Sequence, residues 1–233
     1  MKQQQLHIAL LGNPNSGKSS LFNVLTGLKQ KVGNFPGVTV DKKSGQSKIS
    51  ATLTANIIDL PGTYSLYPRR SDEWVAYNVM MNPGSTEKPE LYVLIVDASN
   101  LKRNLLFASQ VIDLKKPVVI ALTMMDIASK KGLKIDVQGL ERELGVPVIP
   151  VNPRKDKGIN ELKKAIDQTA RQLYKPPLRN FVAASNLSEA AIDDIKKIFP
   201  QISDYAAVHY LIHHESFALD APVQDSIEDI ERK

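Results

Sequence analysis

An apolar run from Leu6 to Leu11 gives way to Gly12-Asn13-Pro14-Asn15-Ser16-Gly17-Lys18-Ser19-Ser20, and Leu-Phe-Asn-Val-Leu follows at once. A strand, a glycine-bracketed loop and a helix in that order form a phosphate-binding P-loop, and few folds accommodate one. Gly12 and Gly17 let the backbone turn its N–H groups inward on an anion, and the N-terminus of the next helix adds partial positive charge. In this setting Lys18 reaches the β- and γ-phosphates and the Ser19 hydroxyl ligates Mg²⁺. Residues 12 to 20 therefore predict a nucleoside phosphate site.

The rest of the chain alternates strand and helix signals. Leu6 to Gly12 reads as a buried strand and Lys18 to Gly27 as a helix closed by its glycine; Leu28 to Thr39 lacks periodicity and reads as a loop. Val40 to Ser50 and Thr52 to Leu60 read as strands, and Ser71 N-caps a helix to Met81. Leu91 to Asp97, Pro117 to Thr123 and Val146 to Val151 complete the strands, with helices over Leu101 to Leu114, Val137 to Leu144 and Gly158 to Tyr174. The stretch before Val137 reads as a polar connection. This pattern predicts an α/β domain over residues 1–175, its mostly parallel six-stranded sheet covered by helices on both faces.

Lys175-Pro176-Pro177 is the expected linker, and residues 180–233 show only helical spacing, predicting a small C-terminal helical bundle. Charge divides at the same place: residues 1–179 carry about +11 and residues 180–233 about −6. The basic residues are scattered, without long runs or interleaved aromatics, so no nucleic-acid partner is expected. The absence of cysteine excludes disulfides and thiolate-held zinc. No secretory signal is recognised, and the longest apolar runs fall far short of a bilayer span, so a chain soluble as it stands is expected.

An Asp-Leu-Pro-Gly turn is ordinary by itself. Closing a strand about forty residues after a P-loop, Asp59-Leu60-Pro61-Gly62 becomes a second phosphate sensor: Asp59 holds Mg²⁺ through water and the Gly62 N–H meets the γ-phosphate. Thr39, in the loop between first helix and second strand, is placed to join the Mg²⁺ shell only when a γ-phosphate is bound. The loops around Thr39 and Gly62 would then order on the triphosphate and relax on hydrolysis.

The series P-loop, Thr39, Asp59-x-x-Gly62 and Thr123-Met124-Met125-Asp126 looks like the guanine-nucleotide-binding P-loop GTPase fold. More closely, the P-loop, Val32-Gly33-Asn34-Phe35-Pro36-Gly37-Val38-Thr39-Val40, Asp59-Leu60-Pro61-Gly62-Thr63-Tyr64-Ser65 and Val96-Asp97-Ala98-Ser99-Asn100-Leu101-x-Arg103-Asn104-Leu105 resemble the soluble N-terminal domain of FeoB, the bacterial ferrous iron transporter. That resemblance covers residues 6 to about 174, and the helical extension more loosely. It implies slow GTP hydrolysis carried by Lys18, Asn15, Thr39 and Gly62, with K⁺ stimulation through a cation held by Asn15. It also implies a transmembrane partner on the same transporter, at the cytoplasmic face of the bacterial inner membrane; association between like copies stays open. Tyr64 stands where many GTPases keep a water-orienting glutamine, which predicts slow turnover.

The base site departs from the pattern. The usual motif is Asn-x-x-Asp; here Asp126 is present to accept from guanine N1 and N2, but Thr123 replaces the Asn and is too short to supply both donor and acceptor. The loop that usually offers a backbone N–H to guanine O6 reads Val151-Asn152-Pro153-Arg154, and Pro153 has no N–H. GTP and GDP remain the expected ligands, with guanine preference open to relaxation toward ATP and ADP. Two alternatives stand beside the transporter reading: a broad-specificity NTPase, and an RNA- or ribosome-assembly GTPase, against which the acidic C-terminal region argues. His209 and His213, four apart beside His214, have a spacing that suits a metal but lack an evident third ligand, so solvent-facing or hydrogen-bonding histidines are expected. Trp74 is expected to pack, and to report nucleotide state by fluorescence.

Overall fold

The computed structural model describes residues 4–28, 30–35, 38–85, 88–172, 175–184 and 188–232. In chain order the elements are β1 (Gln4–Gly12), α1 (Lys18–Thr26), β2 (Gln30–Asn34), β3 (Asp41–Lys48), β4 (Leu53–Asp59), α2 (Ser71–Met81), β5 (Leu91–Asp97) and α3 (Leu101–Asp113). Then come β6 (Val118–Thr123), α4 (Met125–Lys130), α5 (Val137–Leu144), β7 (Val148–Pro150), α6 (Ile159–Ala170), α7 (Glu189–Ile198), α8 (Asp204–His213) and α9 (Ala221–Glu231).

The strands form one sheet in the order β2-β3-β4-β1-β5-β6-β7. From β4 to β7 all neighbours are parallel, whereas β2/β3 and β3/β4 are antiparallel. Alternate residues of β1 serve the two faces. Ile8 and Leu10 join the core under α1 and α6; Ala9 and Leu11 join the core under α2 and α3. Burial on both sides explains why the parallel strands read as continuous apolar runs. Because β1 lies between β4 and β5, its connections diverge to opposite sides, and the crevice above its carboxyl end is where such sheets bind ligands.

The sheet has seven strands rather than the expected six. Residues 30–34, expected within a loop, form β2 and pair with β3 in the register Val32↔Lys43. Its one large apolar residue, Val32, is 63% exposed, so ladder hydrogen bonds rather than burial hold this edge strand. Three other expectations are corrected. The polar connection contains α4, too short for periodicity to reveal. The last strand is confined to Val148–Pro150, and Ser71 is the first residue of α2 while Arg70 occupies the cap. The expected helix end at Tyr174 lies outside the described residues, as do Pro36 and Gly37 of the expected loop.

Helices α7 to α9 lie on the α2/α3 face: Ile192, Ile195, Tyr205, Tyr210 and Ile227 share one buried cluster with Tyr77, Met80 and Val111. The segment leading to them is tethered. The buried Asp113 carboxylate accepts from Phe181 N–H at 2.8 Å and Val182 N–H at 2.7 Å, and Lys115 Nζ donates to Pro177 O and Arg179 O. One turn earlier on α3, Gln110 Oε1 accepts from Leu66 N–H at 2.9 Å, fixing the loop after β4 to the same helix. No helix among the described residues is long and apolar enough to cross a membrane.

Candidate nucleotide-binding site

The carboxyl ends of β1, β4, β6 and β7 open on a cleft of about 800 Å³. Asn13, Pro14, Asn15, Gly17, Lys18, Ser19, Ser20, Gly62, Thr123, Met124, Asp126, Val151, Asn152 and Pro153 line it, so most of the residues expected from sequence converge here. Gly12 and Ser16 sit behind them, both buried. A Cβ on Gly12 would meet Ile95 O at 2.7 Å, so the loop leaves β1 against β5 only because that residue has no side chain. Gly17 takes φ 93° at the start of α1 and Asn15 takes φ 64°, a left-handed conformation that asparagine tolerates.

The loop after β4 is pinned to the P-loop. Thr63 N–H donates to Gly12 O at 3.2 Å, and a Cβ on Gly62 would lie 3.0 Å from Pro14 N. Asp59 ends β4 and forms an ion pair with Lys18 Nζ, the two side chains only 7% and 12% exposed. Ser19 is exposed toward the cleft, so a hydroxyl and a carboxylate, the hard oxygen donors that Mg²⁺ selects, stand at neighbouring loops. Asn15, also exposed in the lining, offers an amide oxygen suited to a monovalent cation. Thr39 is exposed and does not line the cleft.

Thr123 performs half of the work expected of the usual asparagine. It is 1% exposed, and its Oγ1 lies 2.7 Å from Ser16 O and 3.2 Å from Val96 O. With one hydrogen to give, the hydroxyl donates to the nearer acceptor and braces the P-loop from β6. Met124 follows in the left-handed region at φ 56°, its Cε 3.5 Å from where a Gly17 Cβ would be. That turn launches α4, and Asp126 stands exposed in its first turn beside the cleft. Opposite, Val151 N–H donates to Leu122 O at 2.8 Å and Asn152 N–H to Lys157 O at 2.9 Å.

Five lining residues were not anticipated: Arg70, Asp72, Ile127, Arg154 and Lys155. Arg70 and Asp72 form an ion pair at the start of α2 and bring that end of the helix to the cleft. Nothing local in the sequence signals that approach. Arg154 and Lys155 directly follow Pro153 and were legible as a basic pair in the base loop. Tyr64 is covered by the Arg103 guanidinium 3.8 Å from its ring centre, and Arg103 O accepts from Asn13 Nδ2.

The family model described as ferrous iron transport protein B matches residues 6–166. The chain belongs to that family. The Fe(2+) transporters FeoB of Salmonella typhimurium and Escherichia coli K12 are each 44% identical over 169 residues, 71% of this chain and 21% of theirs. The chain thus spans about a fifth of the length of these curated FeoB relatives. A GDP-bound S. thermophilus NFeoB variant covers 97% of this chain and 89% of its own, at 36% identity and TM-score 0.72. The cytosolic domain of T. maritima FeoB in GDP form I covers 100% and 99%, at 29% identity and TM-score 0.77. These FeoB structures extend the likeness through α7 to α9, which lie beyond the family-model match.

Among the described residues no group of three His, Cys, Asp or Glu is placed to hold a metal ion, the α8 histidines included. His209 is fully buried, its Nδ1 3.3 Å from Tyr77 Oη, and burial followed by the nearby His213 pushes its pKa down to about 4. His214 is buried as well, and its Nδ1–H donates to Leu211 O at 2.9 Å. Trp74 packs edge-on against Tyr77 and His213, joining α2 to α8.

Proposed function

We propose that the chain is the GTP-binding, slowly GTP-hydrolysing switch of a bacterial ferrous iron transporter, facing the cytoplasm and signalling nucleotide state to the transmembrane part of the same protein. The observation that carries this is the closure of the loop after β4 onto the P-loop, with Gly62 against Pro14 and Asp59 against Lys18. A γ-phosphate arriving between Gly62 and Lys18 would be sensed by both loops at once. Lys18 then turns from Asp59 to the phosphates, and the Gly62 N–H meets the γ-phosphate oxygen. Ser19, Asp59 and, after the loop around Thr39 closes, Thr39 would hold Mg²⁺, which supplies charge neutralisation at the β- and γ-phosphates. Asn15 would hold K⁺, whose charge substitutes for an arginine finger as the phosphate bond breaks. No side chain at position 64 suits a general base, so backbone groups orient the water and turnover is slow.

A mixed GTP/ATP choice is the second reading, favoured by the commitment of the Thr123 hydroxyl to Ser16 O. Competitive displacement of a fluorescent nucleotide by GDP and by ADP, at equal Mg²⁺ in potassium buffer, separates the two. A preference for GDP of about a hundredfold, roughly 2.7 kcal/mol, supports a GTPase, and equal competition supports the mixed enzyme. Hydrolysis in potassium against sodium buffer, with Asn15→Ala alongside, tests the cation: loss of potassium stimulation in the variant is expected.

A further inference from the structure

One hydroxyl and the first two backbone donors at the base end of the cleft are already committed. Thr123 Oγ1 donates to Ser16 O, Val151 N–H to Leu122 O and Asn152 N–H to Lys157 O, while Pro153 has no N–H. The base loop also presents the side chains of Arg154 and Lys155, both exposed and both lining the cleft. Among the described residues no carboxylate pairs with either of them.

We infer that Arg154 reads the base as guanine, its guanidinium fork donating to O6 and N7. Guanine carries two acceptors side by side on that edge, whereas adenine carries the N7 acceptor beside an N6 amino donor, which turns its hydrogens toward the same fork. A planar pair of parallel N–H groups matches the first edge and is repelled by half of the second. Asp126, across the cleft on α4, has the opposite requirement, accepting from N1–H and N2–H, which adenine lacks. A cation at one side and an anion at the other therefore select guanine jointly, without the carboxamide and the backbone N–H that Thr123 and Pro153 remove. The inference rests on the nucleotide-binding reading above and specifies the base it takes.

Calorimetric titration of the whole chain with GDP, 7-deaza-GDP and ADP, beside Arg154→Met and Lys155→Met, tests it. For the unsubstituted chain 7-deaza-GDP, which lacks the N7 acceptor, is expected to bind about tenfold more weakly than GDP. In Arg154→Met that penalty should shrink to within about twofold while GDP itself weakens about tenfold or more, and in Lys155→Met the penalty should persist. A penalty that survives in Arg154→Met, is absent from the unsubstituted chain, or disappears in Lys155→Met overturns the assignment while leaving nucleotide binding intact. Failure of the unsubstituted chain to bind GDP overturns both readings.

Discussion

Thr123→Val removes one hydroxyl from the wall between β6 and the P-loop and keeps the branched shape. The hydroxyl lies 2.7 Å from the carbonyl of Ser16, a residue only 2% exposed, so neither water nor a neighbouring donor stands ready to replace it. A buried carbonyl left without its donor costs about 1–3 kcal/mol. For a chain of this length each kcal/mol lowers the melting temperature by about 2–4 °C, so a fall of about 2–12 °C is expected. The P-loop also loses its brace, and a loss of GDP affinity of about five- to thirtyfold corresponds to roughly 1–2 kcal/mol of that cost. Differential scanning calorimetry and nucleotide titration read the two effects, and Thr123→Ser, which keeps the donor, should restore most of both. A Val variant that melts within about 1 °C of the parent and binds GDP within about twofold would refute the bracing role.

Four other outcomes are expected. Thr123→Asn adds a carboxamide that can touch the base as well as the loop, and should raise the GDP-over-ADP preference in competitive displacement. Gly62→Ala puts a Cβ 3.0 Å from the Pro14 backbone, which has no flexible end to yield, so GTP turnover should fall by about tenfold or more in a phosphate-release assay. His209 is neutral in the folded state because burial lowers its pKa from 6.5 to about 4; its stabilisation is complete above about pH 6.5 and is lost as pH falls toward 4. Urea unfolding at pH 7 and pH 4.5 should differ by up to about 3 kcal/mol from this group, and His209→Phe should narrow the difference. Asp113→Ala removes the acceptor of Phe181 and Val182 N–H, and limited proteolysis should then cut within residues 175–184 at concentrations that spare the parent.

The parallel strands, their helices and the P-loop were legible because burial on both sheet faces writes unbroken apolar runs and the phosphate loop writes its glycines. β2 was illegible for the converse reason: Gln30–Asn34 is held by pairing with β3 while its one large apolar residue, Val32, is exposed, so hydropathy carries no trace of it. Much of the cleft could be read from motifs. The bracing hydrogen bond of Thr123 could not, because it depends on how closely β6 approaches residue 16. Arg70 was missed because its place at the cleft is set by the path of the loop before α2, and the buried state of His209 because the rings around it come from that loop, α2 and α8 together.

Gln110 and Asp113 stand three residues apart on α3, about 4.5 Å along the axis, yet one grips the loop after β4 and the other the strap leading to α7. The loop and the strap therefore share a single datum. Neither can drift relative to the other without breaking a bond to that one turn of helix. A displacement reported at Leu66 is thus a displacement measured from the same point on which the C-terminal helices hang.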